Sequence, residues 1–185
     1  MKIRILTIIG IAILVRLLVL SHYGPVAAND TPGYERMAAM MRTGDYSEYD
    51  GWRTPGYPLF LNATGHSAHN VLLAQSMLGI VTVLIIYLLV YKTTSSFLVA
   101  ACSGIFIGTS FNIVFIDSYL LTESISTFLF TIIAAIIVAD NYRQWRIAWS
   151  APFWAGLFTA YLTITRPQYM ALIPVIALWL IFHKY

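Results

Sequence analysis

The sequence predicts an all-α protein, a polytopic membrane helix bundle of about six spans with a long outer loop that carries short interfacial helices. Three observations lead to this fold class. The chain has 185 residues, of which 59% are hydrophobic. Only 10% are charged, against about 25% in soluble domains, and a soluble core of this size cannot bury so much apolar sequence. The apolar residues form long blocks separated by short polar segments, as in bilayer-spanning helices.

Six apolar blocks are candidate spans. At about 1.5 Å rise per residue, most of them reach roughly 25–31 Å, which matches the hydrocarbon core of a bilayer. All must be helical, because an open strand edge in lipid leaves backbone groups without hydrogen bonds. The sixth is the shortest. The predicted spans are residues 5–21, 71–91, 97–116, 119–139, 148–165 and 168–182.

The distribution of basic residues predicts a cytoplasmic N-terminus. The inner segments are then very short and hold Lys2, Arg4, Lys92, Arg143, Arg146 and Lys184. The outer segments are much longer and hold Arg36, Arg42, Arg53 and Arg166. All acidic residues except Asp140 fall on or near the outer side. We therefore expect a multi-pass protein of the cell inner (plasma) membrane, with its chemistry facing the outside or the periplasm.

The first block also has the features of a signal peptide. Lys2 and Arg4 form a basic start, and Val26-Ala27-Ala28 resembles a small-residue cleavage site. Arg16 interrupts the apolar stretch, which favours a membrane span over a cleaved signal.

Residues 22–70 form the one long connection, and long loops often carry function. Thr31 can cap a helix that begins at Pro32 and ends at Gly44. One apolar face is predicted for this helix, which either lies on the membrane surface or caps the bundle. That face comprises Tyr34, Met37, Ala38 and Met41.

Two residues of this loop have the chemistry of a site. Asp30 directly precedes the predicted helix, where a carboxylate can cap the helix or serve another purpose. Arg53 lies in a segment with two glycines and two prolines, residues 49–58, which fixes a bent backbone. A guanidinium held at the interface can bind a phosphate bidentately, or it can contact lipid headgroups.

Short motifs along essentially the whole chain resemble those of the GT-C membrane glycosyltransferases. The similarity is to bacterial relatives of dolichyl-phosphate-mannose–protein mannosyltransferase and of the aminoarabinose transferase. The motifs are Arg16, Asp-Thr-Pro-Gly-Tyr at 30–34, Arg-Thr-Pro-Gly-Tyr-Pro-Leu-Phe-Leu at 53–61, residues 75–87, Leu-Thr-Glu-Ser at 121–124 and Thr-Arg-Pro at 165–167.

The resemblance implies a GT-C fold and inverting transfer of a sugar from a polyprenyl-phosphate donor. The acceptor is a protein, lipid or glycan on the outer side of the membrane. It implies that Asp30 is catalytic and that Arg53 contacts the donor phosphate. Some relatives have a second acid beside these motifs, which here is missing or supplied by Asp50. Residues 1–185 correspond to an N-terminal part of such enzymes, so we expect later spans and any soluble domain to be absent and the fragment to be inactive alone.

Further substrate contacts are expected from Tyr34, Tyr57, Asp117, Glu123 and Arg166. Asp117 is predicted in the turn before the fourth span and Glu123 about one turn into it. Ionisable residues at membrane depth are functional candidates. For these two acids, pairing with Arg16 or Arg166 is an equally good interpretation.

Other functions are less well supported. The net charge of +3 includes no basic run, so nothing favours nucleic-acid binding. His66 and His69 lack a third metal ligand nearby. Some relatives bind a divalent ion, but we expect no essential metal or cofactor here. A transporter or lipid flippase is the main alternative, although the chain shows no internal repeat and its polar residues gather at one face. A purely structural membrane subunit is the third.

Overall fold

The computed structural model describes residues 2–141 and 150–182, and this part of the chain is helical apart from its connections. One isolated bridge joins Val26 to Tyr119, and the described residues form no strand. The all-α class is therefore confirmed. The helices are α1 (Lys2–His22), α2 (Thr31–Thr43), α3 (Gly56–Ala63), α4 (Ala68–Thr94), α5 (Phe97–Thr109), α6 (Phe111–Ile116), α7 (Glu123–Asn141), α8 (Ser150–Thr165) and α9 (Leu172–Phe182), with a 3₁₀ turn over Pro167–Ala171 before α9.

Two of the described helices are long and apolar enough to cross a membrane, judged by length and composition. They are α1, over Ile5–His22, and the whole of α4. Shorter apolar helices lie at Phe97–Thr109, Glu123–Ala139 and Pro167–Phe182. The first and second predicted spans thus correspond to long helices, and the count of six stays a prediction.

The predicted third and fourth spans differ from the structure at their adjoining ends. Residues 97–116 do not form one helix, because Ser110 leaves the helical conformation (ψ 113°) between α5 and α6. The fourth helix begins at Glu123 rather than at residue 119. Residues before it are held in a turn by backbone hydrogen bonds to Val26. The placement of Glu123 one turn inside a span is therefore wrong, since it is the first residue of α7.

The last two predicted spans differ less. α8 is described from Ser150, and its predicted start at residue 148 lies outside the described residues, as do Arg143, Arg146 and Lys184. The predicted sixth span begins with the 3₁₀ turn, so its α-helical part, α9, has 11 residues. At about 1.5 Å per residue this part is roughly 16 Å long, too short to cross a bilayer alone.

Helix α2 has the predicted amphipathic character with a shifted start. Asp30 occupies the cap position and makes no capping hydrogen bond with its side chain, so the prediction of Thr31 as the cap is wrong by one residue. Gly44 ends the helix in the left-handed conformation (φ 72°), as predicted. The buried face packs on α3, which supports the interpretation of α2 as a cap on the bundle. The buried face of α2 comprises Thr31, Tyr34, Met37, Ala38 and Met40, and Met41 is half-buried.

The helices pack around two apolar clusters. The larger one joins α7 and α8 with α2, α3, the start of α4 and α9. The smaller one joins α1, α4 and α5. In the second cluster an ideal Cβ on Gly104 would lie 3.1 Å from Ile8, and one on Gly108 would lie 3.2 Å from Ala12. The Gly-x-x-x-Gly pair therefore allows α5 to approach α1 closely.

Large apolar side chains also face outward over much of the structure. Extensive exposed apolar surface is typical of proteins that contact a membrane or a partner. An apolar cavity of about 750 Å³ opens between α4, α7 and α8, in the half of these helices that is remote from Glu123. The more exposed side chains include Leu14, Leu17, Leu18, Leu98, Phe106, Phe153, Leu178, Ile181 and Phe182.

Four connecting segments meet at one end of the bundle, which we call the site end. They are the segment after α1, the segment before α3, the turn between α6 and α7, and the segment after α8. Val26 N donates to the Ser118 carbonyl, and Leu120 N donates to the Val26 carbonyl. The Thr54 hydroxyl donates to the Thr165 carbonyl (3.2 Å). All the sequence-predicted site residues lie on these segments or at the adjoining helix ends.

Close backbone contact between α3 and α8 makes Gly56 sensitive to substitution. A Cβ at this position would lie 2.4 Å from Thr165 Oγ1 and 2.6 Å from the Thr165 backbone nitrogen. We expect Gly56→Ala to reduce the free energy of unfolding by about 1–3 kcal/mol, because a backbone cannot yield as a flexible side chain does. Thermal unfolding in detergent measures this.

The matched control is Gly156→Ala in α8, where a Cβ meets nothing within 4 Å. Its unfolding temperature should equal or exceed that of the parent protein. Equal stability of the two variants would contradict the packing of α3 against α8.

Candidate functional site

An ion pair between Asp30 and Arg53 lies at the site end. Arg53 Nη2 donates to Asp30 Oδ1 at 2.7 Å, although the residues are 23 positions apart. The side chain of Asp30 is 53% exposed and that of Arg53 is 29% exposed. The carboxylate is thus free of a capping role, and its second oxygen makes no hydrogen bond within the described chain. The pair is open to a ligand.

Arg53 reaches Asp30 by lying across the first turn of α2. Its guanidinium carbon is 5.1 Å from the centre of the Tyr34 ring, a cation–π contact. An ideal Cβ on Gly33 would lie 2.9 Å from Arg53 Nε. Burial raises the pKa of Tyr34, and the nearby charge of Arg53 acts against this rise. Tyr34 therefore stays protonated at neutral pH and presents its ring to the cation.

The backbone around Arg53 is fixed from both sides. The Tyr49 hydroxyl donates to the Arg53 carbonyl at 2.8 Å. After Arg53, the chain is attached to α8, because the Tyr161 hydroxyl donates to the Gly56 carbonyl at 3.1 Å. Trp52, directly before Arg53, points away and is 81% exposed. The rigid turn predicted from prolines and glycines is thus held by hydrogen bonds as well.

A second ion pair lies at the site end, and we call the partly exposed surface that carries the two pairs the rim. Arg166 Nη2 is 3.1 Å from Glu123 Oε1, and both side chains are 31% exposed. The other carboxylate oxygen, Glu123 Oε2, is buried and has no hydrogen-bond partner in the described chain. A buried acceptor left without a donor is unfavourable, and such atoms often mark a place where a ligand group binds. Burial raises the pKa of Tyr57, and the charge of Glu123 adds to this rise.

A third pair, between Arg16 and Asp117, is buried beneath this rim. Arg16 Nε donates to Asp117 Oδ2 at 3.0 Å, and the two side chains are only 2% and 6% exposed. Ser124 donates to the other oxygen, Asp117 Oδ1, at 2.8 Å. Gly79 lies against the pair, since a Cβ there would be 2.4 Å from Asp117 Oδ2. This geometry favours the structural interpretation of Asp117 over contact with substrate.

Gln75 connects α3 to the turn before α7. Its side chain is fully buried, and its Nε2 donates to the carbonyls of Asp117 (2.9 Å) and Tyr119 (2.7 Å). Its Oε1 accepts a hydrogen bond from the Tyr57 hydroxyl at 2.8 Å. Tyr57 is itself fully buried, so it does not line the open rim.

The segment that carries Asp30 is attached to the turn before α7. Val26 N donates to the Ser118 carbonyl (2.8 Å), and Leu120 N donates to the Val26 carbonyl (3.0 Å). The Thr31 hydroxyl donates to the Leu120 carbonyl at 3.0 Å and accepts from Ala28 N at 2.9 Å. Asp30 is therefore bracketed by two attachments to the same turn.

The structure thus places the Asp30–Arg53 and Glu123–Arg166 pairs at the site end, with Tyr34 under the Arg53 guanidinium, while Tyr57 and Asp117 are buried. Sequence reasoning missed the part played by Gln75, and the available signal was an amide inside an apolar helix. His66 contacts Asn62. Within residues 2–141 and 150–182, no group of three His, Cys, Asp or Glu side chains is arranged to hold a metal ion.

Chemically, the rim combines an accessible carboxylate with two partly exposed guanidinium groups. The carboxylate can accept a proton from a hydroxyl or amine. The guanidinium groups can neutralise an anionic group such as a phosphate. No family model, curated protein or solved structure matches this chain.

The burial of the Arg16–Asp117 pair predicts a large effect on stability. We expect Asp117→Ala to cost about 3–5 kcal/mol in the free energy of unfolding, because it leaves the Arg16 charge buried without a partner. The exposed counterpart, Asp30→Ala, should cost no more than about 1 kcal/mol. Denaturant unfolding of the detergent-solubilised protein compares the two.

A further variant tests the reason for that loss. Replacing both partners, Arg16→Leu with Asp117→Leu, should be less destabilising than Asp117→Ala because no unpaired charge remains. If the double variant is the less stable of the two, the unpaired charge is not the cause.

Proposed function

We propose that this chain carries the donor-binding and proton-accepting residues of a membrane glycosyltransferase of GT-C type. The enzyme transfers a sugar from a polyprenyl-phosphate donor to a hydroxyl or amine on a protein, lipid or glycan outside the cytoplasm. The motifs at Asp30, Arg53, Glu123 and Arg166 that resemble this family meet in space, although they are far apart in the sequence.

The single observation that carries the proposal is the accessible contact between Asp30 and Arg53. A base that acts on the acceptor and a cation that binds the leaving phosphate must lie on either side of one anomeric carbon. Two side chains in direct contact can separate to admit that carbon between their charged ends. Asp30 makes no capping bond and is more than half exposed, so its role is unlike that of an ordinary helix cap.

The reaction balances with these groups. The acceptor oxygen or nitrogen attacks the anomeric carbon while the bond from that carbon to the phosphate oxygen breaks. Asp30 takes the acceptor proton, a general-base role that contributes about 10²–10⁴-fold. Arg53 stabilises the departing polyprenyl phosphate, with Arg166 as the second cation of the rim. Attack opposite the phosphate inverts the configuration of the sugar.

Glu123 has a different part in this scheme. Its Oε1 holds Arg166, while Oε2 faces inward without a donor. Glu123 therefore contributes by holding Arg166, the second cation for the donor phosphate, rather than by proton transfer.

The exposed apolar side chains and the two long apolar helices support the proposed membrane setting. In this scheme α1, α4, α5 with α6, α7, α8 and the last segment form six spans with the N-terminus inside. The site end then lies at the outer interface, where aromatic residues such as Trp52 are favoured. The lipid chain of the donor stays in the bilayer while its phosphate reaches the rim.

Substitution of the paired residues tests the function in membranes that contain the intact protein. We expect Asp30→Asn to lower sugar transfer at least about 100-fold, because the amide cannot accept the proton. We expect Arg53→Ala to raise the KM for the polyprenyl-phosphate donor about tenfold or more, because a charge-assisted bond to the phosphate is lost. Radiolabelled sugar transfer from the lipid donor measures both.

Asp45→Asn and Arg42→Ala are the matched controls, since both residues are exposed in the same loop and lie away from the ion pairs. They should behave like the parent protein. Undiminished turnover in Asp30→Asn would remove this residue from catalysis. Accumulation of donor in vesicles without any covalent product would instead identify a transporter or flippase.

Thiol labelling tests the orientation. Two single-cysteine variants, Ser47→Cys and Thr93→Cys in a Cys102→Ser background, place one thiol in the outer loop and one at the opposite end of α4. A membrane-impermeant maleimide added to spheroplasts should label position 47, and position 93 only after permeabilisation. The reverse pattern would place Asp30 and Arg53 in the cytoplasm and overturn the proposal.

A further inference from the structure

Gln75 makes three hydrogen bonds within the buried part of the protein. Both hydrogens of its amide nitrogen are used, one for each of the carbonyls of Asp117 and Tyr119. The amide oxygen accepts from Tyr57. Among side chains, only an amide offers two donors and an acceptor in one small planar group. Gln75 therefore uses both of its donors and its oxygen within the protein, and its complete burial keeps it out of contact with a ligand.

One of these contacts leads to Arg53. Tyr57 is the second residue of α3, four residues after Arg53 along the chain. Its ring packs edge-on against Tyr34 with centroids 5.1 Å apart, and Tyr34 in turn lies under the Arg53 guanidinium. The hydrogen bond from Tyr57 to Gln75 thus holds both the chain before α3 and the ring on which the cation rests.

The other two contacts lead to Asp30. Gln75 fixes the carbonyls of residues 117 and 119, which belong to the turn before α7. The same turn holds Val26 and Thr31 through their hydrogen bonds to residues 118 and 120. Asp30 lies between these two attachments, so its position follows that of the turn.

We propose that Gln75 is a positioning residue for the sugar transfer, one that fixes the Asp30 carboxylate and the Arg53 guanidinium relative to each other without touching substrate. This inference rests on the proposed function. Arg53 and Asp30 belong to segments that are 23 residues apart, and Gln75 is the one described side chain hydrogen-bonded to both the α3 side and the turn. When the amide is lost, no described side chain is hydrogen-bonded to both of the segments that position the ion pair.

The hydrogen bond of Gln75 on the Arg53 side and its hydrogen bonds on the Asp30 side can be removed separately. Tyr57→Phe removes the bond on the Arg53 side and keeps the aromatic ring. Gln75→Glu keeps an acceptor for Tyr57 but supplies at most one donor to the two carbonyls, so it weakens the Asp30 side. Gln75→Leu removes both. Thr82→Val is the matched control, because Thr82 is buried in the same helix and bonds only to its own helix, at the Leu78 carbonyl.

Steady-state kinetics should separate the variants. We expect Tyr57→Phe to raise the donor KM about tenfold with little change in kcat, and Gln75→Glu to lower kcat about tenfold with little change in donor KM. Gln75→Leu should show both changes, and Thr82→Val neither. A general loss of folded protein would lower the apparent kcat in every variant and leave each KM unchanged, which would overturn the assignment.

A distance measurement makes the test independent of activity. Spin labels on Arg42→Cys in α2 and Trp52→Cys beside Arg53, in the Cys102→Ser background, report how the two segments are held. Gln75→Leu should broaden the distance distribution, whereas Thr82→Val should not. An unchanged distribution in Gln75→Leu overturns the inference. If the distribution broadens but the intact protein in membranes transfers no sugar from the lipid donor, the proposed function fails while the positioning by Gln75 stands.

Discussion

The arrangement of the site end depends on one constraint: polar groups that lie among apolar helices need hydrogen-bond partners. Burying a charge or an amide costs free energy unless the group is paired or hydrogen-bonded. The turn between α6 and α7 meets this condition, since Asp117 is bonded to Arg16 and Ser124 while Gln75 bonds two of the turn's carbonyls. Because the same turn also holds the segment that precedes α2, satisfying the buried groups fixes the position of the exposed ones.

The helical class is predictable from the sequence, because long apolar blocks separated by short polar segments are typical of helices. The ends of the elements are less predictable where distant segments decide them. Tyr119 belongs to an apolar block, yet its pairing with Val26 keeps it out of α7. Ser110 interrupts another apolar block, although hydropathy does not distinguish it from a residue inside a continuous helix. The first error comes from a tertiary contact overriding the local pattern, and nothing in the structure explains the second.

Some residues of the candidate site are likewise predictable from the sequence, and others are not. Asp30 and Arg53 are visible in the sequence because loop chemistry and local turn residues single them out. The depth of Tyr57 and Asp117 is not visible, since residues in similar motifs can face the rim or the interior. Gln75 has no neighbour in the sequence with which it acts. Its partners come from α3 and from a turn more than 40 residues away along the chain, so only the folded arrangement shows what it connects.

Gly33 carries a consequence for how this loop can vary among related sequences. The Arg53 side chain crosses the space that any larger residue at position 33 would fill. A methyl group at position 33 would therefore require the Arg53 side chain to shift, so substitutions at the two positions affect each other. In a set of homologues, covariation of these two columns would be a more direct signature of this loop geometry than the separate conservation of either residue.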